Sequence, residues 1–301
     1  MDYSKLYAGY LAKFLKLKSA VNCVCDSSSG TTGLVLRKIR LPKLNLILIN
    51  GRPDGRFPVH GPDPWGKGAM DGLEKKVLAS HADFGAIFDA DGDRVFFIDD
   101  RGRLVPQEAV FLLLARDFKP PYLVDVRMGW LARKSGLRLV ESRVGHYFIK
   151  KTMAAKKINL GIEFSGHAYF SNSIGSGKSY FDSGLRALAH FVNAVSALKK
   201  QGTKLSAWLD LQPEYFREPE QNFTVKDKKA AIARLKAFYK KDAARVSRLD
   251  GLSVEFKDWW FNVRPSNTEP LLRLNIEARS ETTLKEKCGE VIKVIQRFSK
   301  R

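Results

Sequence analysis

Three carboxylates stand at alternate positions in the stretch FDADGDRVFFIDDRG, Phe88 to Gly102: Asp89, Asp91 and Asp93, with Arg94 directly after them. An ordinary solvated turn between two strands is one reading of such a run. The mutual repulsion of three like charges in a tight turn is offset more simply by a bound cation, and an all-oxygen ligand set suits Mg2+ or Ca2+. An EF-hand loop begins the same way but needs Gly at its sixth position and Glu at its twelfth. Here those positions hold Arg94 and Asp100, and the flanks read as strands rather than helices. The EF-hand is excluded. Mg2+ takes few protein ligands and keeps positions open for water or phosphate, so beside Arg94 it would suit phosphoryl transfer.

That chemistry needs groups that grip phosphate and sugar, and two further stretches supply them. NVRPSNTEP, Asn262 to Pro270, places Arg264, Ser266, Asn267 and Thr268 on a short loop after a strand. A guanidinium fork with hydroxyl and amide donors matches a phosphate dianion. GIEFSGHAYF, Gly161 to Phe170, puts Glu163, Ser165 and His167 around a turn opened by Gly166. Carboxylate and hydroxyl groups together can bridge sugar hydroxyls. Either stretch taken singly also reads as a polar turn.

The elements that must position these residues alternate. An amphipathic helix opens the chain through Tyr3, Leu6, Tyr7, Tyr10, Leu11 and Phe14, and AVNCVCD reads as a buried strand running into the Gly-rich turn SSSGTTG. GLVLRKIRLP reads as helix-poor, LNLILIN as a strand, and GRPDGRFPVHGPDPWG as a long loop held open by four prolines. A helix through AMDGLEKKVLASH leads to the strand GAIFD, the acidic turn and the strand VFFID. The predicted fold is α/β: two successive α/β domains with mixed sheets flanked by helices, then a smaller α+β domain. Boundaries at Pro120-Pro121 and Gln212-Pro213 give residues 1–119 with the metal loop, 120–212 with the sugar loop and 213–301 with the phosphate loop.

Bulk properties narrow the setting. A chain of 301 residues, 44% hydrophobic, can bury substantial cores, and no run of eighteen apolar residues suggests a membrane span. Cys23, Cys25 and Cys288 are too few and too irregularly spaced for a disulfide framework, so a reduced, cytoplasmic protein is expected. The net charge of +20 favours an anionic ligand. Its basic residues are spread along the chain without aromatic interleaving, and the densest block, KKAAIARLKAFYKKDAARVSR, reads as one solvated helix face. That disfavours nucleic acid.

Together the motifs resemble the α-D-phosphohexomutase family, which includes phosphomannomutase/phosphoglucomutase. The family's metal loop DGDGDR appears as DADGDR, its sugar loop GExSGH as IEFSGH and its phosphate loop RPSGTEP as RPSNTEP. PDGRFPVHGPDP and RVGHYFIK also match, in family order. The resemblance implies a hexose phosphate substrate, Mg2+ on Asp89, Asp91 and Asp93, and transfer between the 1- and 6-positions through a bisphosphate. It places Arg94 beside the phosphoryl group, Glu163, Ser165 and His167 at the sugar, and Arg264, Ser266, Asn267 and Thr268 on the non-reacting phosphate. His146 and Arg127 take the positions of catalytic residues, with Arg127 standing where a Lys is usual.

The departures are specific. The sequence begins where the family's second domain begins, so the phosphoserine loop of the first domain is not in it. LASHADFG carries a similar Ser80-His81 pair, but at a helix end and without the Asn-Pro of that loop. NSIGSGKS, Asn172 to Ser179, imitates a nucleotide-binding loop where the family has a variable connection. Ala90 replaces a Gly of the metal loop. The expectation is a mutase part that needs a serine-bearing domain or separate chain and is inactive alone. A non-catalytic sugar-phosphate-binding protein is the alternative, and a nucleic-acid binder on the same scaffold is disfavoured by retention of all three loops.

Overall fold

The structure is a computed structural model that describes residues 1–174, 177–266 and 269–298. It opens with α1 (Tyr3–Ala12), capped by Asp2, whose carboxylate accepts the Lys5 N–H at 3.1 Å. There follow β1 (Val21–Asp26), α2 (Thr32–Leu36), β2 (Leu44–Ile49), α3 (Asp71–Ala79), β3 (Phe84–Phe88), β4 (Val95–Asp99) and α4 (Gln107–Ala115). The strands form one sheet in the order β2-β1-β3-β4, parallel except for the β3–β4 hairpin. β1 lies inside the sheet, which is why its run is apolar: Val21, Cys23, Val24 and Cys25 are wholly buried. All three cysteines are free. α2 corrects the helix-poor expectation for residues 33–42; at five residues it is too short to leave a periodic pattern.

Next come β5 (Tyr122–Asp125), α5 (Trp130–Arg133), β6 (Leu139–Ser142), α6 (His146–Lys156), β7 (Leu160–Ile162), β8 (Ala168–Ile174), β9 (Gly177–Asp182), α7 (Gly184–Lys200) and α8 (Leu205–Asp210). β7, β8 and β9 form an antiparallel meander. Of the string NSIGSGKS, Asn172 to Ile174 therefore lie on β8 and Gly177 to Ser179 on the paired β9, with no helix directly after them as a strand-loop-helix phosphate cradle requires. The Ser183 hydroxyl caps α7 by accepting the Arg186 N–H at 3.1 Å. Phe191 of α7 stacks on Phe97 with ring centroids 3.8 Å apart and meets Phe84 edge-on at 5.0 Å, so this buried helix is fastened to the first sheet.

The chain ends with β10 (Phe216–Arg217), β11 (Gln221–Thr224), α9 (Lys228–Tyr239), β12 (Arg245–Ser247), β13 (Leu252–Glu255), β14 (Trp259–Pro265), β15 (Leu271–Ala278) and α10 (Glu281–Gln296). Its sheet is antiparallel in the order β10-β15-β14-β13-β12, with β11 also on β15. Alternation sends Phe261, Val263, Leu272, Leu274 and Ile276 into a core with Leu235, Val291 and Ile295 of the helices. Arg264 and its register partner Arg273 take the opposite face. The fold class is that expected: mixed α/β sheets flanked by helices, then an α+β C-terminal part. Two compact units result, one of Met1–Leu123, Gly136–Val140 and Lys150–Gln212, the other of Val124–Ser135, Glu141–Ile149 and Pro213–Arg301.

Candidate active site

The acidic turn closes the β3–β4 hairpin of the first unit. Asp89 is buried and organises it: Oδ1 accepts the N–H groups of Gly92 (3.1 Å) and Arg94 (3.2 Å), and Oδ2 accepts Arg94 Nε at 2.6 Å. Asp91 is exposed and Asp93 half-buried, and one oxygen from each of the three carboxylates lies within 4.8 Å of the others. The left-handed residue of the turn is Gly92, at φ 78°, where a Cβ would come 2.1 Å from the Thr32 methyl. Ala90 has no positive φ, so a methyl group is tolerated there. The SSSGTTG turn braces the loop from behind, Thr31 N–H donating to the Ala90 carbonyl at 2.9 Å and the Ser28 hydroxyl to the Phe88 carbonyl at 2.5 Å. Burial, with the neighbouring carboxylates of Asp89 and Asp91, pushes Asp93 up to about 6 against the pull of His167.

The Glu163–His167 loop is tied to this turn through backbone. Arg94 and His167 form an antiparallel bridge, and Val95 N–H donates to the Gly166 carbonyl at 3.2 Å. Glu163 is buried and accepts the Tyr169 hydroxyl at 3.0 Å. His167 spans the two loops: Nδ1 lies 3.3 Å from Glu163 Oε2 and 2.9 Å from Ser165 Oγ, while Nε2 lies 3.4 Å from Asp93 Oδ1. Burial opposes its charge, but Glu163 and then Asp93 outweigh that and raise His167 above the ordinary histidine value. Lys150 pairs with Asp182 at 2.9 Å.

The second unit holds Arg264, Ser266, Arg127 and His146. Arg264 is buried, and its Nη2 donates to Glu220 at 3.2 Å. Lys228 Nζ donates to the Ser266 carbonyl (2.9 Å) and the Glu269 carbonyl (3.0 Å). Asn267 and Thr268 lie outside the described residues. Arg127 is buried and forked onto Asp125, with Nη2 to Oδ2 at 2.7 Å. His146 opens α6 with its side chain exposed.

Three family models match this chain in succession. Residues 6–102 match the phosphoglucomutase/phosphomannomutase alpha/beta/alpha domain II, 128–215 domain III and 220–294 the C-terminal domain. The chain belongs to the phosphoglucomutase/phosphomannomutase family. A phosphomannomutase of Methanocaldococcus jannaschii is 35% identical over 91% of this chain and 61% of its own length. One from Salmonella typhimurium is 33% identical over 93% of this chain and 64% of its own. The crystal structure of a phosphoglucomutase/phosphomannomutase family protein from Burkholderia thailandensis superposes with a TM-score of 0.83 at 26% identity, covering 98% of this chain and 64% of that one. The sequence thus spans about three fifths of the length of the curated relatives it matches.

In this member of the family the acidic turn falls in the domain II match, the Glu163–His167 loop in the domain III match, and Arg264 with Ser266 in the C-terminal match. The family motifs did not point to Tyr169, Glu220, Arg273 or Asn275. Tyr169 carries a weak signal, standing two residues past His167. Glu220 carries none, because 44 residues separate it from Arg264.

Proposed function

We propose that this chain provides the metal, sugar and phosphate sites of a phosphohexomutase, which moves a phosphoryl group between the 1- and 6-positions of a hexose through a bisphosphate. The observation that carries this is the Asp93–His167–Glu163 chain, which joins the acidic turn to the sugar loop within one compact unit. The acidic turn fits Mg2+: of about four lone-pair sites on Asp89, three are taken by N–H groups and one remains, while Asp91 and Asp93 add further carboxylate oxygens. When bound there, the ion would offset negative charge on a transferring phosphoryl group.

The chain's own residues divide the remaining work. Asp89 fixes Arg94 at Nε, so its guanidinium is aimed before any ligand arrives. Glu163 and Ser165 take sugar hydroxyls, with His167 beside them, while Arg264, Ser266, Asn267 and Thr268 hold the non-reacting phosphate. Arg127, fastened to Asp125, serves as a fixed positive charge rather than a proton donor, since a guanidinium keeps its proton. His146 is assigned proton transfer at the reacting hydroxyl. Ser80 is not assigned as nucleophile: its hydroxyl donates to the Lys76 carbonyl at 2.7 Å at the end of α3. The phosphoserine is instead assigned to polypeptide outside these 301 residues, whether on a longer product or a separate chain. The free, buried cysteines support a reducing, cytoplasmic setting.

The test is calorimetry and a coupled isomerase assay on the 301-residue chain with Mg2+ and glucose or mannose 1-phosphate. Binding without interconversion is expected. Isomerisation that disappears on Asp91→Ala would overturn the assignment of the nucleophile elsewhere, and loss of no binding on that substitution would overturn the metal site.

A further inference from the structure

The Arg264 fork already holds an anion of the protein's own. Arg264 and Arg273 are register partners on β14 and β15, and Asn275 stands two residues along β15, so all three share the sheet face opposite the core. Glu220, immediately before β11, brings one carboxylate to all of them. Its Oε2 accepts Arg264 Nη2 at 3.2 Å and Asn275 Nδ2 at 2.8 Å, and its Oε1 lies 3.7 Å from Arg273 Nη1. Arg264 Nε and Arg273 Nε are buried and have no hydrogen-bond partner among the described residues. Burial works against charge on Glu220, yet Asn275, Arg264 and Arg127 together hold its carboxyl below the usual range, so it is ionised wherever a phosphate dianion exists.

We infer that Glu220 is a resident counter-anion that competes with phosphate for Arg264 and thereby sets a deliberately weak grip. This rests on the reading of the Arg264 loop as the phosphate site. A supporting residue would behave in the opposite way: removing its charge would loosen the guanidinium and weaken binding. A competitor, once neutralised, leaves the fork free and removes a like charge from beside the ligand.

The experiment measures affinity of the full chain for inorganic phosphate and for glucose 6-phosphate by calorimetry, in wild type, Glu220→Gln and Arg264→Ala. Glu220→Gln keeps the shape and the Asn275 contact while removing the charge. Affinity for both ligands is expected to rise about ten-fold in Glu220→Gln, a gain that a merely damaged fold does not produce. Unchanged or weakened binding in Glu220→Gln, with wild-type binding intact and lost in Arg264→Ala, would overturn the competitor role alone. Wild-type phosphate binding that survives Arg264→Ala would overturn the site assignment and the competitor role with it.

Discussion

Gly92 illustrates how a single backbone conformation fixes the acidic turn. Its φ of 78° lies in the left-handed region, and the space where a Cβ would stand is filled by the Thr32 methyl 2.1 Å away. Gly92→Ala therefore meets two costs: about 1–2 kcal/mol for the backbone and a collision with a buried neighbour. A lower melting temperature and weaker Mg2+ binding are expected. Thr32→Ser, which removes the colliding methyl but keeps the hydroxyl, should restore part of the loss. A double-mutant cycle by thermal denaturation checks this, and strict additivity of the two substitutions would show that the contact contributes nothing. The Asp triplet was legible in the sequence because its spacing is local. The bracing by Ser28 and Thr31 was not, because those residues sit about sixty positions earlier and resemble any turn.

At the scale of elements, the long periodic segments were readable and the short ones were not. β1, β3 and β4 follow from short, mainly apolar runs, and α7 and α10 from stripes long enough to repeat. α2 and the β8–β9 hairpin escaped, the first for its length and the second because β9, GKSYFD, is polar at its start and shows no alternation of buried and exposed residues. Ion pairs between such elements are likewise invisible until the fold is known. Glu141 of β6 accepts Arg133 of α5 at 2.8 Å and Arg245 of β12 at 3.1 Å, so two guanidiniums from different elements meet at one carboxylate. Burial opposes its charge, but the hydrogen bond from Arg245 and the charge of Arg133 outweigh it and hold the carboxyl below the usual glutamate value. A lowered folded-state value means stability that is fully present above the ordinary glutamate range and lost as pH falls through the lowered one. Glu141→Gln should thus cost about 1–2 kcal/mol at neutral pH. The difference from wild type should shrink in acid. Urea denaturation at pH 7 and pH 3 measures it, and a pH-independent cost would assign the effect to packing instead.

Across the whole molecule, the groups proposed for metal and for phosphate are sorted into different compact units. The acidic turn with the sugar loop belongs to the first and Arg264 to the second. Each unit engages its own side chains: Asp89 holds Arg94 within the first, and Glu220 occupies Arg264 within the second. If that sorting is also a division of labour, each site should fail alone. Arg264→Ala is expected to weaken hexose-phosphate binding by about ten-fold or more, the loss of charge-assisted hydrogen bonds to a dianion, and to leave Mg2+ affinity unchanged. Asp91→Ala should do the reverse for Mg2+ and spare inorganic phosphate. Calorimetric titrations of both variants with each ligand separately decide the matter. Equal loss of both ligands in either variant would overturn that division, because the contacts of Arg94 with Asp89 and of Arg264 with Glu220 lie within separate units and give no reason for a substitution in one to reach the ligand of the other.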